Sequence, residues 1–182
     1  TVVPFTEISQ YVKDATLSIE DKEFYTHGGV KPLSILRAVL VNTASFSYSQ
    51  GGSTITQQVV KNSILTGDKT PTRKLKELVL SLKLERMLSK ERIFDMYLNE
   101  IPYGGSLYGV EEASQAFFGK KSKDVTIAEA AYLASLPQAP SFYSPYGKNK
   151  ERLDERKNVV LKEMLRDGKI SDVEYQNALA EE

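Results

Sequence analysis

GGSTITQQVVKN, residues 51–62, joins two glycines, a run of small and β-branched residues, two glutamines and a lysine at the start of one helix. Glycines suit a turn, and the hydroxyls of Ser53 and Thr54 suit a helix cap. Those preferences explain why a helix starts here. They do not explain the amide pair Gln57, Gln58 or the cation Lys61, all placed within its first turns. A capped helix with a polar, solvent-facing side is the plain reading. A site that needs hydroxyls, amides and positive charge together is the other.

The remaining totals bound that choice loosely. The chain has 182 residues, 41% hydrophobic and 26% charged, as expected of one globular domain with a real core. Lys+Arg and Asp+Glu are 24 each, so nothing draws the whole molecule to nucleic acid and any anion site must be local. There is no cysteine, hence no disulfide and no thiol chemistry. No run approaches the roughly 18 apolar residues of a membrane span, and no signal peptide opens the chain. Starting at Thr1 and closing on a charged helix, it reads as a domain excised from something longer.

Most of the chain reads as helix. Thr126-Ile-Ala-Glu129 and Ser171-Asp-Val-Glu174 are capping boxes, and Pro137 stops the helix that the first one opens. Gly168 fits the position just past a helix over about 151–167, Pro71 the first turn of a helix to about Leu88. Ser89 caps a further helix ending before Pro102, and Pro32 suits the start of PLSILRAVLVNT. SFSYS, residues 45–49, is the sole weak strand candidate. The fold class is all-α.

In the helix from Pro71, Leu75, Leu78, Val79 and Leu82 form an apolar stripe at 100° per residue. Arg73 and Glu77 fall on the other side with Leu80 and Leu84, so the pair either faces a cleft or makes an exposed i,i+4 ion pair. A third stretch, IEDKEFYTHGG (residues 19–29), puts Glu20 and Asp21 near a helix C-terminus that Gly28 or Gly29 would break. Carboxylates there oppose the helix dipole, and beside Ile19 and Phe24 a glutamate would hold its proton more tightly, as a general acid or base requires. His27, the only histidine, lacks partners for a metal site and is expected to pack or hydrogen-bond.

These stretches, in this order, resemble the peptidoglycan glycosyltransferase domain of class A penicillin-binding proteins and the monofunctional glycosyltransferases (glycosyltransferase family 51). EDKEFYTHGG is similar to the family's E-D-x-x-F-x-x-H-x-G, and GGSTITQQVVK to its second motif almost letter for letter. RKLKE (73–77) matches R-K-x-x-E, and KERIFDMYLN (90–99) resembles K-x-x-I-L-x-x-Y-L-N with Phe94 in place of leucine. RKNVVL (156–161) fits R-x-x-x-V-L. Five ordered motifs span nearly the whole chain.

The resemblance implies a lysozyme-like helical fold with a large lobe and a small membrane-facing jaw lobe, here about residues 32–65 of a single domain 1–182. It implies polymerisation of lipid II at the extracytoplasmic face of the bacterial cytoplasmic membrane, by a protein whose N-terminal transmembrane anchor precedes Thr1. The GlcNAc 4-hydroxyl of lipid II attacks the anomeric carbon of the lipid-pyrophosphate-linked strand with inversion. A leaving pyrophosphate gains charge in the transition state, which gives the opening stretch its use. Lys61 supplies a charge, Ser53 and Thr54 hydroxyls, and Gln57 and Gln58 neutral donors and acceptors, with Arg73 completing the cage.

In that chemistry Glu20 is the general base. Glu77 organises the donor site or takes a more direct catalytic part, and Asp21 supports substrate binding. Lys69 stands where the family often has arginine, so charge is kept but a bidentate phosphate contact is not. Lys90 and Arg156 are expected to serve structure, and Tyr97 and Asn99 packing. Mg²⁺ or Mn²⁺ is implied as a hard cation on pyrophosphate oxygens, with no protein metal ligand assigned. Partners implied are lipid II, the growing strand, the membrane surface and moenomycin-type inhibitors. VNTASFSYSQ (41–50) is the expected jaw segment, mobile without substrate. The competing functions are a lysozyme-like glycan hydrolase, which has no need for Lys61, Lys69 and Arg73 at a pyrophosphate, and a non-catalytic glycan-binding module, against which the intact Glu20 and Glu77 argue.

Overall fold

The computed structural model describes residues 1–31, 52–65 and 70–181, and these are mainly helical. The expected jaw segment 41–50, the helix expected from Pro32, the SFSYS stretch, Gly51 and Lys69 lie outside the described residues. In chain order the helices are α1 (Gln10–Glu20), α2 (Ile55–Val59), α3 (Pro71–Met87), α4 (Lys90–Glu100), α5 (Val110–Phe118), α6 (Ile127–Ser135), α7 (Lys150–Arg166) and α8 (Asp172–Ala180). Strands β1 (Pro102–Gly104) and β2 (Leu107–Tyr108) lie between α4 and α5. The chain divides into two compact units, residues 1–22 with 101–182, and residues 23–100.

In the first unit, α1, α6 and α7 pack on one another. Alanines at 15, 128, 131 and 134 let the helices approach closely, and Val160, Leu161, Met164 and Ile170 fill the space between. Both capping boxes form. Thr126 N–H donates to Glu129 Oε2 at 2.8 Å while Glu129 N–H donates to Thr126 Oγ1 at 3.2 Å, and Ser171 and Glu174 repeat the exchange. Gly168 follows α7 at φ +68°, the left-handed geometry that ends a helix.

Two elements of this unit have no counterpart in the sequence reading. α5 starts after Gly109 and stops at the left-handed Gly119 (φ +64°), so it is bounded by glycines where the reading looked for hydroxyls. The β1–β2 hairpin pairs Pro102 with Tyr108. Its strands are too short to show a period-2 pattern, which is why the sequence concealed them. At Gly104 (φ +113°) an added Cβ would sit 3.0 Å from the Pro140 carbonyl oxygen, so the close approach excludes a side chain.

In the second unit, α4 packs on α2. Phe24, Ile55, Val59, Val60, Ile93, Phe94, Tyr97 and Leu98 are among its buried apolar residues. Phe94, the departure from the family motif, stands 5.6 Å from the Phe24 ring and 6.4 Å from Tyr97, so the larger side chain is absorbed into an aromatic row. α2 runs on into a π turn, Val60–Ile64, which carries Lys61.

The stripe on α3 does not face inward. Leu75, Val79 and Leu82 are 63%, 58% and 40% exposed, whereas Glu77 and Ser81 are buried. Amphipathicity predicts an inner face only when the interior is apolar. Here the surface that α3 covers is the hydroxyl and amide side of α2, so its polar face turns in. A second correction concerns α1, which ends at Glu20; Asp21 is its cap and residues 22–30 follow as turns and bends, with Gly29 at φ +87°.

Candidate active site

The second unit brings motif residues together around Glu77. Thr54 and Gln57 cap α2 reciprocally: Thr54 N–H donates to Gln57 Oε1 at 2.9 Å, and Gln57 N–H donates to Thr54 Oγ1 at 3.1 Å. Thr54 Oγ1 also donates to the Gly29 carbonyl at 2.5 Å, tying the opening stretch to the HGG turn. Gln57 Nε2 then donates to Glu77 Oε1 at 3.3 Å. Thr54 and Gln57 are fully buried, so their polar groups are used within the fold. Gln57 sits in the opening stretch to hold Glu77.

Lys74 completes the arrangement. Its ammonium donates to Glu77 Oε1 at 2.5 Å and to Ser53 Oγ at 3.0 Å. The partner of Glu77 is thus three residues away, on the i,i+3 spacing, with Glu77 buried and Lys74 half-exposed. Ion pairs of this kind persist when further hydrogen bonds support them, and here Gln57 and Lys74 both donate to Glu77 Oε1 while Lys74 also donates to Ser53. The sequence reading assigned Lys74 no role. Its signal was available as the second letter of the RKLKE motif, one turn before the carboxylate. Of the other expected residues in this unit, Gln58 is buried on α2, Lys61 is exposed on the π turn and Arg73 is half-buried in the first turn of α3.

Glu85, Lys90 and His27 support this face. Glu85 Oε1 accepts from Thr56 Oγ1 at 2.5 Å and from Lys90 Nζ at 2.8 Å. Lys90 Nζ also donates to the His27 carbonyl at 2.6 Å and lies 4.5 Å from the Phe24 ring centroid. His27 Nδ1 accepts from Gly29 N–H at 3.0 Å, the hydrogen-bonding role expected of it. A Cβ on Gly29 would come within 2.6 Å of Glu85 Cγ and 3.1 Å of the Ser81 carbonyl oxygen, so only glycine lets α3 approach this turn.

Glu20 and Asp21 belong to the other unit. Glu20 is the last residue of α1, and Asp21, its cap, is 1% exposed. The expected surroundings of Glu20 were apolar; the structure adds a cation. Arg156 Nη2 lies 3.6 Å from Glu20 Oε1, with only 15% and 11% of the two side chains exposed. Arg156 Nε donates to the Ser135 carbonyl at 3.2 Å, and its guanidinium lies 5.7 Å from the Tyr143 ring centroid. Tyr103 is buried in the same unit; burial first, and the negative charge of Glu20 second, push its hydroxyl well above the usual tyrosine range. It therefore stays a neutral phenol.

Among the described residues no three His, Cys, Asp or Glu side chains converge to hold a metal ion. The chain's own residues thus offer a fixed ammonium with a hydroxyl around one carboxylate, and a guanidinium-held carboxylate at a helix end.

The family profile described as Transglycosylase matches residues 1–165. Penicillin-binding protein 1A of Aquifex aeolicus is 44% identical over 177 residues, covering 97% of this chain and 24% of that protein. Penicillin-binding protein 1A/1B of Bacillus subtilis is 44% identical over 179 residues, covering 98% of this chain and 20% of that one. A crystal structure of penicillin-binding protein 1A from Haemophilus influenzae is 34% identical, with a TM-score of 0.45 over 70% of this chain and 16% of that one. The chain spans about a quarter or less of the length of these relatives. With a family profile matched from Thr1 to Leu165 and about 44% identity over nearly its full length, the chain belongs to the transglycosylase family of the class A penicillin-binding proteins.

Proposed function

We propose that the chain polymerises lipid II into glycan strands at the outer face of the cytoplasmic membrane. The observation that carries this reading is the Ser53–Lys74–Glu77 cluster. A half-exposed ammonium, fixed by a buried carboxylate and a hydroxyl, stabilises a departing pyrophosphate more than its ground state. A glycan hydrolase has no such leaving group. Glu20 takes the proton from the GlcNAc 4-hydroxyl of the acceptor as that oxygen attacks the anomeric carbon of the donor. The C–O bond to the lipid pyrophosphate breaks, configuration inverts, and the pyrophosphate leaves against Lys74 and the neighbouring Lys61 and Arg73. Glu77 holds Lys74 in place. Mg²⁺ or Mn²⁺ belongs to this proposal as a counter-ion carried on the pyrophosphate, and no step is routed through it.

The exposed stripe on α3 supports a membrane contact. Leu75, Val79 and Leu82 lie on one face with Lys83 and Arg86 beside them, the pattern of a helix resting in a bilayer interface. No described helix is long and apolar enough to cross a membrane. Val79→Glu should weaken binding to anionic vesicles while leaving the fold intact; native vesicle binding by that variant would remove α3 from the contact.

Purified lipid II tests the reaction. Long glycan strands support the transferase, cut sacculi would make the chain a hydrolase, and inertness toward both would make it a binding module. A phosphoglycolipid inhibitor of the moenomycin type should compete with the donor, its phosphate against Lys61, Arg73 and Lys74.

A further inference from the structure

The carboxylate assigned as base stands where a helix makes it least comfortable. Glu20 closes α1, and Ser135 closes α6. The last carbonyls of a helix lack intrahelical donors, and the C-terminus carries partial negative charge. Two such ends therefore meet in one small region, one of them bearing a carboxylate. Arg156, from the middle of α7, answers both. One nitrogen faces Glu20 Oε1 at 3.6 Å, while Nε donates to the Ser135 carbonyl at 3.2 Å. The Tyr143 ring lies alongside the guanidinium. Because these contacts use two nitrogens of one rigid plane, fixing Nε on Ser135 fixes the direction from which the guanidinium reaches Glu20.

We infer that Arg156 is the positioning residue for the base, holding the Glu20 carboxylate in one orientation by anchoring the guanidinium to the C-terminus of α6. The inference rests on the reading of Glu20 as base. Three helices that pack as one layer, α1, α6 and α7, each contribute one member of the arrangement. That layer is closed by small residues, so the three members have little freedom to shift. Lysine could keep the charge but could not meet the carbonyl and the carboxylate from one plane.

The test compares Arg156→Lys with the wild-type chain in lipid II polymerisation, with melting temperature followed in parallel. A misplaced base affects the chemical step, so kcat should fall about tenfold or more while KM and melting change little. In a chain already carrying Glu20→Gln, adding Arg156→Lys should cost nothing further, because the residue acts only through the carboxylate. A native kcat in Arg156→Lys, or an equal loss in the Glu20→Gln background, would overturn the inference. If Arg156→Lys melts early, Tyr143→Leu, which removes only the ring beside the guanidinium, must lower kcat in the same Glu20-dependent way, and an unchanged kcat there overturns it too. Failure of the underlying reading looks different. A wild-type chain that makes no strands overturns the transferase assignment, and an active Glu20→Gln removes the base and the role of Arg156 with it.

Discussion

Glu20 and Glu77 are both nearly enclosed carboxylates, yet their surroundings differ in kind. Glu77 sits mid-helix, and one of its oxygens accepts from both Lys74 and Gln57 at hydrogen-bond distance. Glu20 sits at a helix end and meets Arg156 at 3.6 Å, ion-pair range with a longer separation than a hydrogen bond. Glu77 is tied by hydrogen bonds into the framework that presents an ammonium. Glu20, at a helix end, has a guanidinium that holds its direction. That difference supports the proposal that Glu77 serves binding and Glu20 the chemistry.

The largest expected effect breaks that comparison most directly. Glu20→Gln preserves shape but cannot take a proton, so the initial rate of glycan formation should fall by at least about 10². Affinity for a phosphoglycolipid inhibitor, measured by calorimetry, should stay native. Near-native polymerisation would make Glu77 the first candidate for the base.

Glu77→Gln should act on binding as well as rate. It leaves Lys74 without its charged partner, and the loss of a hydrogen bond between charged groups is worth roughly 1.5–3 kcal/mol. Inhibitor affinity should weaken by an amount within that range. Native affinity with a collapsed rate would move Glu77 into the chemical step and dissolve the distinction.

Gly29 sharpens the same contrast from the backbone. A left-handed conformation costs an ordinary residue about 1–2 kcal/mol, to which the contact of a new Cβ with Glu85 and the Ser81 carbonyl is added. Gly29→Ala should lower the unfolding free energy by at least that much, seen as a lower urea midpoint, and should disturb inhibitor binding more than it disturbs α1. An unchanged midpoint would mean that α3 can withdraw from the turn.

The smallest effect lies in the unit that holds Glu20. Burial opposes the charge of Glu111, but hydrogen bonds from Ser122 N–H at 2.7 Å and Oγ at 2.6 Å, with Gln115 at 3.1 Å, outweigh it and hold its pKa below the usual carboxylate value. A depressed folded value contributes stability above the unfolded pKa and loses it as pH falls through the folded one. Glu111→Gln should therefore lower the melting temperature at neutral pH, and the gap to wild type should close on acidification to about pH 3. A gap that stays constant with pH would show that the charge does not matter.

Much of this was legible before any coordinates. Capping boxes at Thr126 and Ser171 and the glycine at 168 are local signals, settled within four residues by hydrogen bonds the chain makes with its neighbours, and they appear as read. The five motifs likewise carried the family, because each is a short ordered string. What stayed open was any question that depended on what lies opposite. The stripe Leu75, Leu78, Val79, Leu82 has the helical period whichever way it faces, and only the polar surface of α2 decided that Glu77 turns inward and Leu75 and Val79 outward. α5 and the short hairpin escaped because their boundaries are glycine geometries and their strands hold too few residues to show a period.

The sequence by itself determined the helical class, the caps, the family and the residue types gathered in its five motifs. The tertiary structure alone decided which partners each carboxylate received. Lys74 reaches Glu77 and Ser53 from one turn away, but Gln57 joins them only because α2 and α3 cross there. Arg156 stands 136 residues from Glu20 in the chain and reaches it only because α1, α6 and α7 share a layer. Local hydrogen-bond chemistry is written in adjacent letters. The field around a buried charge is made by whatever the fold brings beside it, and no short window of sequence contains that.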